Sequence, residues 1–106
     1  MNGIYTVKQV NSYIKNMFTQ DFMLNRIYVK GEISNCKYHP SGHIYFSLKD
    51  ESGTIACVMF AGSRAGLSFT LKNGQRVIAF GSVSVYERDG KYQLYAREIK
   101  LDGAGE

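Results

Sequence analysis

Aromatic and cationic side chains alternate along several stretches of the chain, and together they can perform one kind of chemistry. Rings stack on unpaired bases, each stack contributing roughly 1–3 kcal/mol, while Lys and Arg neutralise phosphates. The candidate rings are Tyr28, Tyr38, Tyr45 and Phe60, the candidate cations are Lys30, Lys37, Lys49 and Arg64, and a later loop adds Tyr86, Arg88, Lys91 and Tyr92. His43 shares the predicted face and can donate a hydrogen bond. The pattern predicts binding of single-stranded nucleic acid, although Tyr and Lys also occur on strand faces that only contact water.

A zinc site is the second chemistry that the residue types allow, because zinc accepts both thiolate and imidazole ligands. The Cys and His residues of the chain are Cys36, His39, His43 and Cys57. Structural zinc sites usually take closely spaced ligand pairs, and Cys57 has no near partner and falls in an apolar run. We therefore predict no metal and no cofactor.

The sequence carries little evidence for a catalytic site. Asp50 and Glu51 are adjacent, but they precede Ser52-Gly53 in a predicted tight turn, where solvated carboxylates are common. The segment 62–66 lacks the Lys-Ser/Thr ending of a phosphate-binding loop. The sequence predicts that these 106 residues are not an enzyme by themselves.

The elements that must position these residues begin with a helix at about 6–19. Thr6 can cap its first turn, and Gln9 completes a capping box. Apolar residues then recur at helical spacing and form one stripe: Val7, Val10, Ile14, Met17 and Phe18. Lys8, Asn11, Ser12 and Lys15 belong to the opposite, polar face.

From Arg26 the apolar period changes to two, which predicts strands up to about residue 101. Gly31 suggests a bend or bulge in the first strand. Ile44, Phe46 and Leu48 are predicted to face inward in the second strand. A third strand at about 54–61 is predicted to point Ile55, Cys57 and Met59 inward and Thr54, Ala56, Val58 and Phe60 outward. Two further strands, at about 75–87 and 91–101, flank an Asp-Gly turn.

Five short strands after one helix predict a mainly β fold, a five-stranded Greek-key OB-fold barrel preceded by an N-terminal α-helix. Closure into a barrel removes exposed strand edges, and the OB fold binds through strands 2–3 and the loops between strands 1–2 and 4–5. The length of 106 residues predicts a single domain, 1–106. Residues 103–105, Gly-Ala-Gly, have the composition of a linker.

The amino-acid composition limits the classes of binding partner that the chain can have. The net charge is +4 and the pI is about 9.1, which permits attraction to nucleic acid. No apolar run approaches the roughly 20 residues that cross a bilayer, and no basic amphipathic helix favours lipid binding. Two cysteines do not need an oxidising compartment, so we expect a cytoplasmic protein without a membrane partner.

Several motifs resemble the start of the exodeoxyribonuclease VII large subunit family. They are 31–35 (GEISN), 41–50 (SGHIYFSLKD), 57–60 (CVMF), 85–94 (VYERDGKYQL), and the two ends, 5–7 (YTV) and 103–106 (GAGE). The resemblance implies an N-terminal OB domain that holds single-stranded DNA for an enzyme that degrades it to oligonucleotides. It further implies that the nuclease site lies in a later catalytic domain, and that a small subunit binds the missing C-terminal part.

Two positions depart from that family's pattern. Cys36 stands where the family usually has an aromatic residue, and Ala61 stands where Arg is common. One stacking ring and one phosphate contact are therefore expected to be missing. A protein-interaction module that orients the catalytic domain is the alternative function, and an independent enzyme is a third.

Overall fold

The computed structural model describes residues 3–103, which contain one α-helix and five strands. These are α1 Val7–Gln20, β1 Ile27–Tyr38, β2 Ile44–Lys49, β3 Thr54–Met59, β4 Arg76–Tyr86 and β5 Lys91–Leu101, with a 3-10 helix, Ala61–Gly66, between β3 and β4. The helix begins and ends one residue later than predicted, and β3 ends two residues earlier. Most of the predicted linker, from residue 104 onward, lies outside the described residues.

The strands form a closed barrel in the order β1-β2-β3-β5-β4. All neighbouring pairs are antiparallel except β3 and β5, which run parallel through the pairs Cys57–Leu94 and Val58–Tyr95. The predicted fold class, a mainly β five-stranded OB barrel preceded by a helix, is confirmed. Side chains fill the barrel, so binding chemistry must lie on its outside.

Strand β1 is long enough to pair with two neighbours. Its first half pairs with β4 and its second half with β2, and Glu32 pairs with both. Gly31 lies where the pairing of β1 changes from β4 to β2, and its register with β4 is regular. A Cβ at this position would lie 3.1 Å from the carbonyl oxygen of Lys49. The bulge is therefore not at Gly31. It lies between Ser34 and Lys37, at Asn35, whose φ of 50° is left-handed.

The core consists of the inward faces of the strands. The inward residues predicted for β2, Ile44, Phe46 and Leu48, are buried as expected. Cys57 and Met59 of β3 are also buried, and Ile55 is half-buried at the rim. Alternation between the two faces of a strand was enough to identify these positions.

Helix α1 packs on the barrel through its polar side, which corrects the orientation that its apolar stripe suggests. The predicted capping box of Thr6 and Gln9 is present. Asn11 Nδ2 donates to the carbonyl oxygen of Glu87 at 2.9 Å, and Ser12 Oγ donates to Glu87 Oε2 at 2.6 Å. Phe18 packs against the core, whereas the other members of the stripe, Val7, Val10, Ile14 and Met17, are exposed. Along residues 3–103, no helix has the length and apolar character that crossing a membrane requires.

Candidate nucleic-acid interface

Four rings meet on the outer face of β2, β3 and β5, and we call His43, Tyr45, Phe60 and Tyr95 the ring cluster. The centroid of His43 lies 5.1 Å from that of Phe60 and 6.4 Å from that of Tyr45. Phe60 and Tyr95 are 5.7 Å apart. Tyr45 is 42% exposed and Phe60 is 44% exposed, so both rings remain accessible to a ligand.

Val58 forms the floor of the ring cluster. The register places it between Tyr45 on β2 and Tyr95 on β5, all three on the outer face. Val58 was predicted to face outward, and it does, yet it is only 1% exposed. Its burial could not be predicted, because alternation within one strand does not reveal large side chains on the neighbouring strands.

Cations border the ring cluster on the side of the β1–β2 loop. Lys37 pairs with Tyr45 across the strands, which places their Cβ atoms about 5 Å apart on one face. Arg64 Nη1 donates to the carbonyl oxygen of Gly42 at 3.4 Å, next to His43 in sequence. Lys91 lines a shallow groove with Ala56 on the outer side of β3. Lys37 and Arg64 therefore lie beside the ring cluster, while Lys91 lies in a separate shallow groove.

The imidazole of His43 has a defined hydrogen-bonding role. Its Nδ1 accepts a hydrogen bond from the backbone N–H of Ala61 at 2.9 Å. Because that nitrogen is an acceptor, the neutral ring carries its proton on Nε2 and presents a donor to the ring cluster's surroundings. Ala61, whose side chain carries no charge, therefore helps to orient this ring through its backbone.

Several predicted site residues lie away from the ring cluster, which corrects the prediction of one shared face. The bulge turns Tyr38 to the inner side of the rim, where it pairs with Ile44 and its hydroxyl accepts from Leu71 N at 2.7 Å. The guanidinium of Arg64 lies 5.3 Å from its ring centroid. The Tyr38 hydroxyl therefore holds the β3–β4 connection, while the ring, which is 43% exposed, lies outside the ring cluster and beside the guanidinium of Arg64.

Lys49 and the β1 residues also separate from the rings. Lys49 Nζ lies 3.9 Å from Glu32 Oε2, so a carboxylate already offsets part of its charge. Tyr28 and Lys30 pair with Phe80 and Ile78 of β4, on the side of the barrel where β1 contacts β4. A strand's alternation distinguishes inside from outside, but it does not tell which side of a closed barrel an outward residue occupies.

The loop between β4 and β5 is held by helix α1. The pKa of Glu87 is lowered by its hydrogen bonds from Ser12 and Lys15, the second of which is an ion pair of 3.3 Å. The Tyr92 ring centroid lies 6.3 Å from that of Phe18, so this ring packs toward the helix. Arg88 lines a groove beside α1, while Tyr86 ends β4 as an exposed residue.

The sequence reading missed Tyr95 and three residues near Tyr28, namely Arg26, Phe80 and Arg97. Tyr95 lies between the inward residues Leu94 and Ala96, so alternation along β5 could have identified it as outward. Its contact with β3 depends on the parallel pairing of distant strands, for which the local sequence carries no signal.

The cysteines are buried to different degrees and do not form a site with the histidines. Burial raises the pKa of Cys57 to about 12 and also raises the pKa of Cys36. The Cys36 thiol donates to the carbonyl oxygen of Leu71 at 3.6 Å. Over residues 3–103, no group of three or more His, Cys, Asp or Glu residues is arranged to hold a metal ion.

Known proteins resemble this chain at two levels. A family model described as an OB-fold nucleic acid binding domain matches residues 5–100. The protein named exodeoxyribonuclease 7 large subunit from Lachnoclostridium phytofermentans is 71% identical over 105 residues, covering 99% of this chain and 26% of that protein. The large subunit of the same name from Clostridium botulinum strain Okra is 56% identical over 101 residues, covering 95% of this chain and 25% of that protein. The resemblance predicted from the motifs is thereby confirmed.

The chain spans about a quarter of the length of these relatives. Among solved structures, asparaginyl-tRNA synthetase from Pyrococcus horikoshii matches with a TM-score of 0.58 and 16% identity, covering 74% of this chain and 20% of that chain. At that identity the match supports the fold alone.

Proposed function

Since the chain belongs to the OB-fold nucleic acid binding domain family, we propose that it holds single-stranded DNA for an exodeoxyribonuclease VII large subunit. In this proposal the parent enzyme degrades single-stranded DNA to oligonucleotides in the cytoplasm. The chemistry takes place in a separate catalytic domain, and the small subunit binds another part of the large subunit. The OB domain itself is not catalytic and needs no cofactor.

The observation that carries the proposal is the ring cluster. Tyr45 and Phe60 are two exposed rings on one face, with Tyr95 beside Phe60 and Lys37 beside Tyr45. Large aromatic side chains gain stability when they are buried, so a surface that keeps several of them accessible is suited to a ligand. Flat rings and a neighbouring ammonium group match the two parts of a nucleotide, the base and the phosphate.

Single strands fit this surface better than duplexes. In a duplex the base faces are stacked on one another, and only the base edges and phosphates are accessible in the grooves. In a single strand the faces are free to stack on Tyr45 and Phe60. His43 Nε2–H and Lys37 would then contact acceptor atoms of the same strand. Stacking tolerates any base, so we expect weak sequence preference.

Fluorescence anisotropy with a labelled single-stranded oligonucleotide tests the proposal. We expect micromolar or weaker affinity that decreases between about 50 and 200 mM salt, because binding releases counterions. Tyr45→Ala combined with Phe60→Ala removes two stacks, and each stack contributes roughly 1–3 kcal/mol. The double variant should therefore lose at least about thirty-fold in affinity, since 1.4 kcal/mol corresponds to a factor of ten.

A matched control is available at the N-terminal end of the chain. Tyr5, just before α1, and Tyr13, on α1, are exposed rings outside the proposed site, and Tyr5→Ala with Tyr13→Ala removes the same number of rings. This control should bind oligonucleotide like the parent chain. Equal losses in both double variants, or equal affinity for single strands and duplex, would contradict the proposal.

Helix α1 supports a second candidate function, docking onto another part of the large subunit. Val10, Ile14 and Met17 are exposed on one side of the helix, and Phe22 and Met23, which follow the helix in sequence, are exposed as well. The helix uses its polar side to bind the barrel, so this stripe has no partner within residues 3–103. A contiguous exposed apolar patch of this kind typically marks a protein interface.

The occupant we propose for the stripe is a folded neighbouring domain of the longer polypeptide, whose apolar surface would bury it. Substituting Ile14→Ser and Met17→Ser in a full-length large subunit should increase hydrogen exchange across α1 and reduce nuclease activity. Substitution of two exposed polar residues of the helix, Asn16→Ser and Gln20→Ser, provides the control. Unchanged hydrogen exchange across α1 in the Ile14→Ser, Met17→Ser variant would refute docking. The same substitutions in the isolated domain should leave oligonucleotide binding unchanged.

A further inference from the structure

A second group of rings and cations lies on the outer face formed by β1, β4 and β5, and we call Arg26, Tyr28, Phe80 and Arg97 the back cluster. The Tyr28 and Phe80 rings are 4.7 Å apart at an interplanar angle of 42°. The guanidinium carbons of Arg26 and Arg97 lie 5.6 Å and 5.4 Å from the centroid of the Phe80 ring. Tyr28 is 72% exposed, so one side of this assembly is open to solvent.

A β-bulge directs Arg97 into the back cluster. Phe80 pairs with Glu98, and the next residue of β4, Gly81, pairs with Ala96, which leaves Arg97 as the extra residue on β5. Bulges re-aim side chains and are frequent near binding sites. One nitrogen of Arg97 also donates to the carbonyl oxygen of Asn25 at 3.1 Å. The guanidinium is therefore oriented by both the strand geometry and a hydrogen bond.

The charge around the back cluster is positive in sum, with one carboxylate among the cations, because Glu98 pairs with Phe80 across the strands. Arg26 and Arg97 form no ion pair among the residues that the structure describes. The adjacent cross-strand row carries Lys30 and Lys100 on either side of Ile78. Like charges that face one ring repel each other, and an anion placed between them would offset that repulsion.

We infer that the back cluster is a second contact surface for single-stranded nucleic acid. A phosphate would bind between Arg26 and Arg97, because guanidinium groups donate paired hydrogen bonds to phosphate oxygens. A base would stack on the open face of Tyr28. The nature of the ligand rests on the proposed function, but the residues involved are different from those of the ring cluster.

The topology links the two surfaces through β5. Tyr95 of the ring cluster pairs with Ser82 of β4, and Phe80 is the next outward residue on that strand. Arg97 follows Tyr95 on β5 after one inward residue. A single strand that leaves the ring cluster across β5 therefore reaches Arg97 and then Phe80. The strand would partly wrap the barrel instead of crossing one face.

Oligonucleotides of two lengths test this inference in the 106-residue chain. Site sizes of OB folds range over roughly 4–16 nucleotides, so oligonucleotides of about 5 and about 20 nucleotides should separate occupation of one surface from that of both. The back variant, Tyr28→Leu with Arg97→Gln, should lose roughly five-fold or more in affinity for the longer strand and little for the shorter one. Its salt dependence should also become shallower by about 0.7 in log–log slope for the lost phosphate contact.

The matched control is Tyr13→Leu with Lys72→Gln, which removes one exposed ring and one charge elsewhere on the chain. Amide chemical shifts in the presence of the long strand should move at Tyr28, Phe80 and Arg97 in the parent chain. A separate measurement of thermal unfolding reveals whether the back variant is folded. If it is not, Tyr28→Leu alone provides the test, because its ring is mostly exposed.

The outcomes separate this inference from the proposed function. In one outcome, the Tyr45 and Phe60 double variant loses binding, while the back variant binds both oligonucleotide lengths like the parent chain. That result would overturn the inference and leave the proposed function standing. The reverse pattern would overturn the role given to the ring cluster and leave the inference about the back cluster standing. If Arg97→Gln weakens binding, Tyr28→Leu does not, and a polyglutamate peptide competes as well as the oligonucleotide, the surface is a site for an acidic protein segment. That result would also refute the inference.

Discussion

Gly81 has no room for a side chain, and it lies against the backbone of Tyr95, a member of the ring cluster. It is buried on β4, where a Cβ would lie 2.0 Å from the carbonyl oxygen of Tyr95 and 3.0 Å from the Cα of Ala96. Both of these atoms belong to the backbone and cannot rotate away. Gly81→Ala therefore forces β4 and β5 apart, at the register shift that also sets the position of Arg97.

The magnitude follows from this contact. Overpacking a core by one or more methylenes typically costs 1–3 kcal/mol when side chains can adjust. Here the adjustment must come from the strand itself, so we expect a destabilisation of about 3 kcal/mol or more. At about 4 °C per kcal/mol for a domain of this size, the melting temperature should fall by about 12 °C or more. Oligonucleotide affinity should fall as well, because Tyr95 moves with its carbonyl group.

Differential scanning calorimetry of Gly81→Ala and of a control, Gly53→Ala, measures this effect. A Cβ at Gly53 meets nothing within 4 Å, so the control should unfold within about 0.5 kcal/mol of the parent chain. If the two variants melt at the same temperature, β4 and β5 are not packed as tightly at Gly81 as this account requires. The role given to the register shift would then be wrong as well.

Three further predictions concern single side chains. Since the pKa of Glu87 is lowered in the fold, its stabilising contribution is present above the ordinary carboxyl value of about 4.3 and is lost as the pH falls through the folded value. The difference in melting temperature between the parent chain and Glu87→Gln should therefore shrink under acid, as a thermal melt at several pH values would measure. Tyr38→Phe leaves the buried N–H of Leu71 without its acceptor, so urea unfolding should show a loss of about 1–3 kcal/mol while oligonucleotide affinity stays unchanged. Ellman's reagent should modify Cys36 before Cys57, whose raised pKa and burial should keep it unreactive until the chain unfolds.

Local patterns predicted the elements well because the responsible forces are local. The capping box at Thr6 and Gln9 uses atoms within one helical turn, so the start of α1 could be read directly. The inward row of β2 follows from alternation alone. The bulge at Asn35 could not be placed, because its left-handed backbone depends on pairing with β2 and not on a glycine. That bulge moved Tyr38 away from the predicted face.

The site was predictable only in part, for a related reason. Tyr45 and Phe60 were identified because each is an aromatic residue at an outward position of its own segment. Tyr95 lies beside these two rings only because β3 pairs in parallel with β5. Tyr28 lies apart from them because its part of β1 pairs with β4. The apolar stripe of α1 also indicated the wrong packing face, because hydrogen bonds from its polar side to Glu87 determine how the helix packs on the barrel.

The ring cluster lies over the seam that closes the barrel. Strands β3 and β5 meet through two paired positions, and one of them joins Val58 to Tyr95 beneath the rings. The rings that keep Val58 dry are thus the rings proposed to stack on bases, which makes barrel closure and ligand binding energetically linked. A ligand that binds only the closed barrel stabilises it by mass action. Substitutions that remove a ring from the ring cluster should therefore lower both the stability of the barrel and its affinity for oligonucleotides. Substitutions in the back cluster should lower the affinity with little effect on the pairing of β3 with β5.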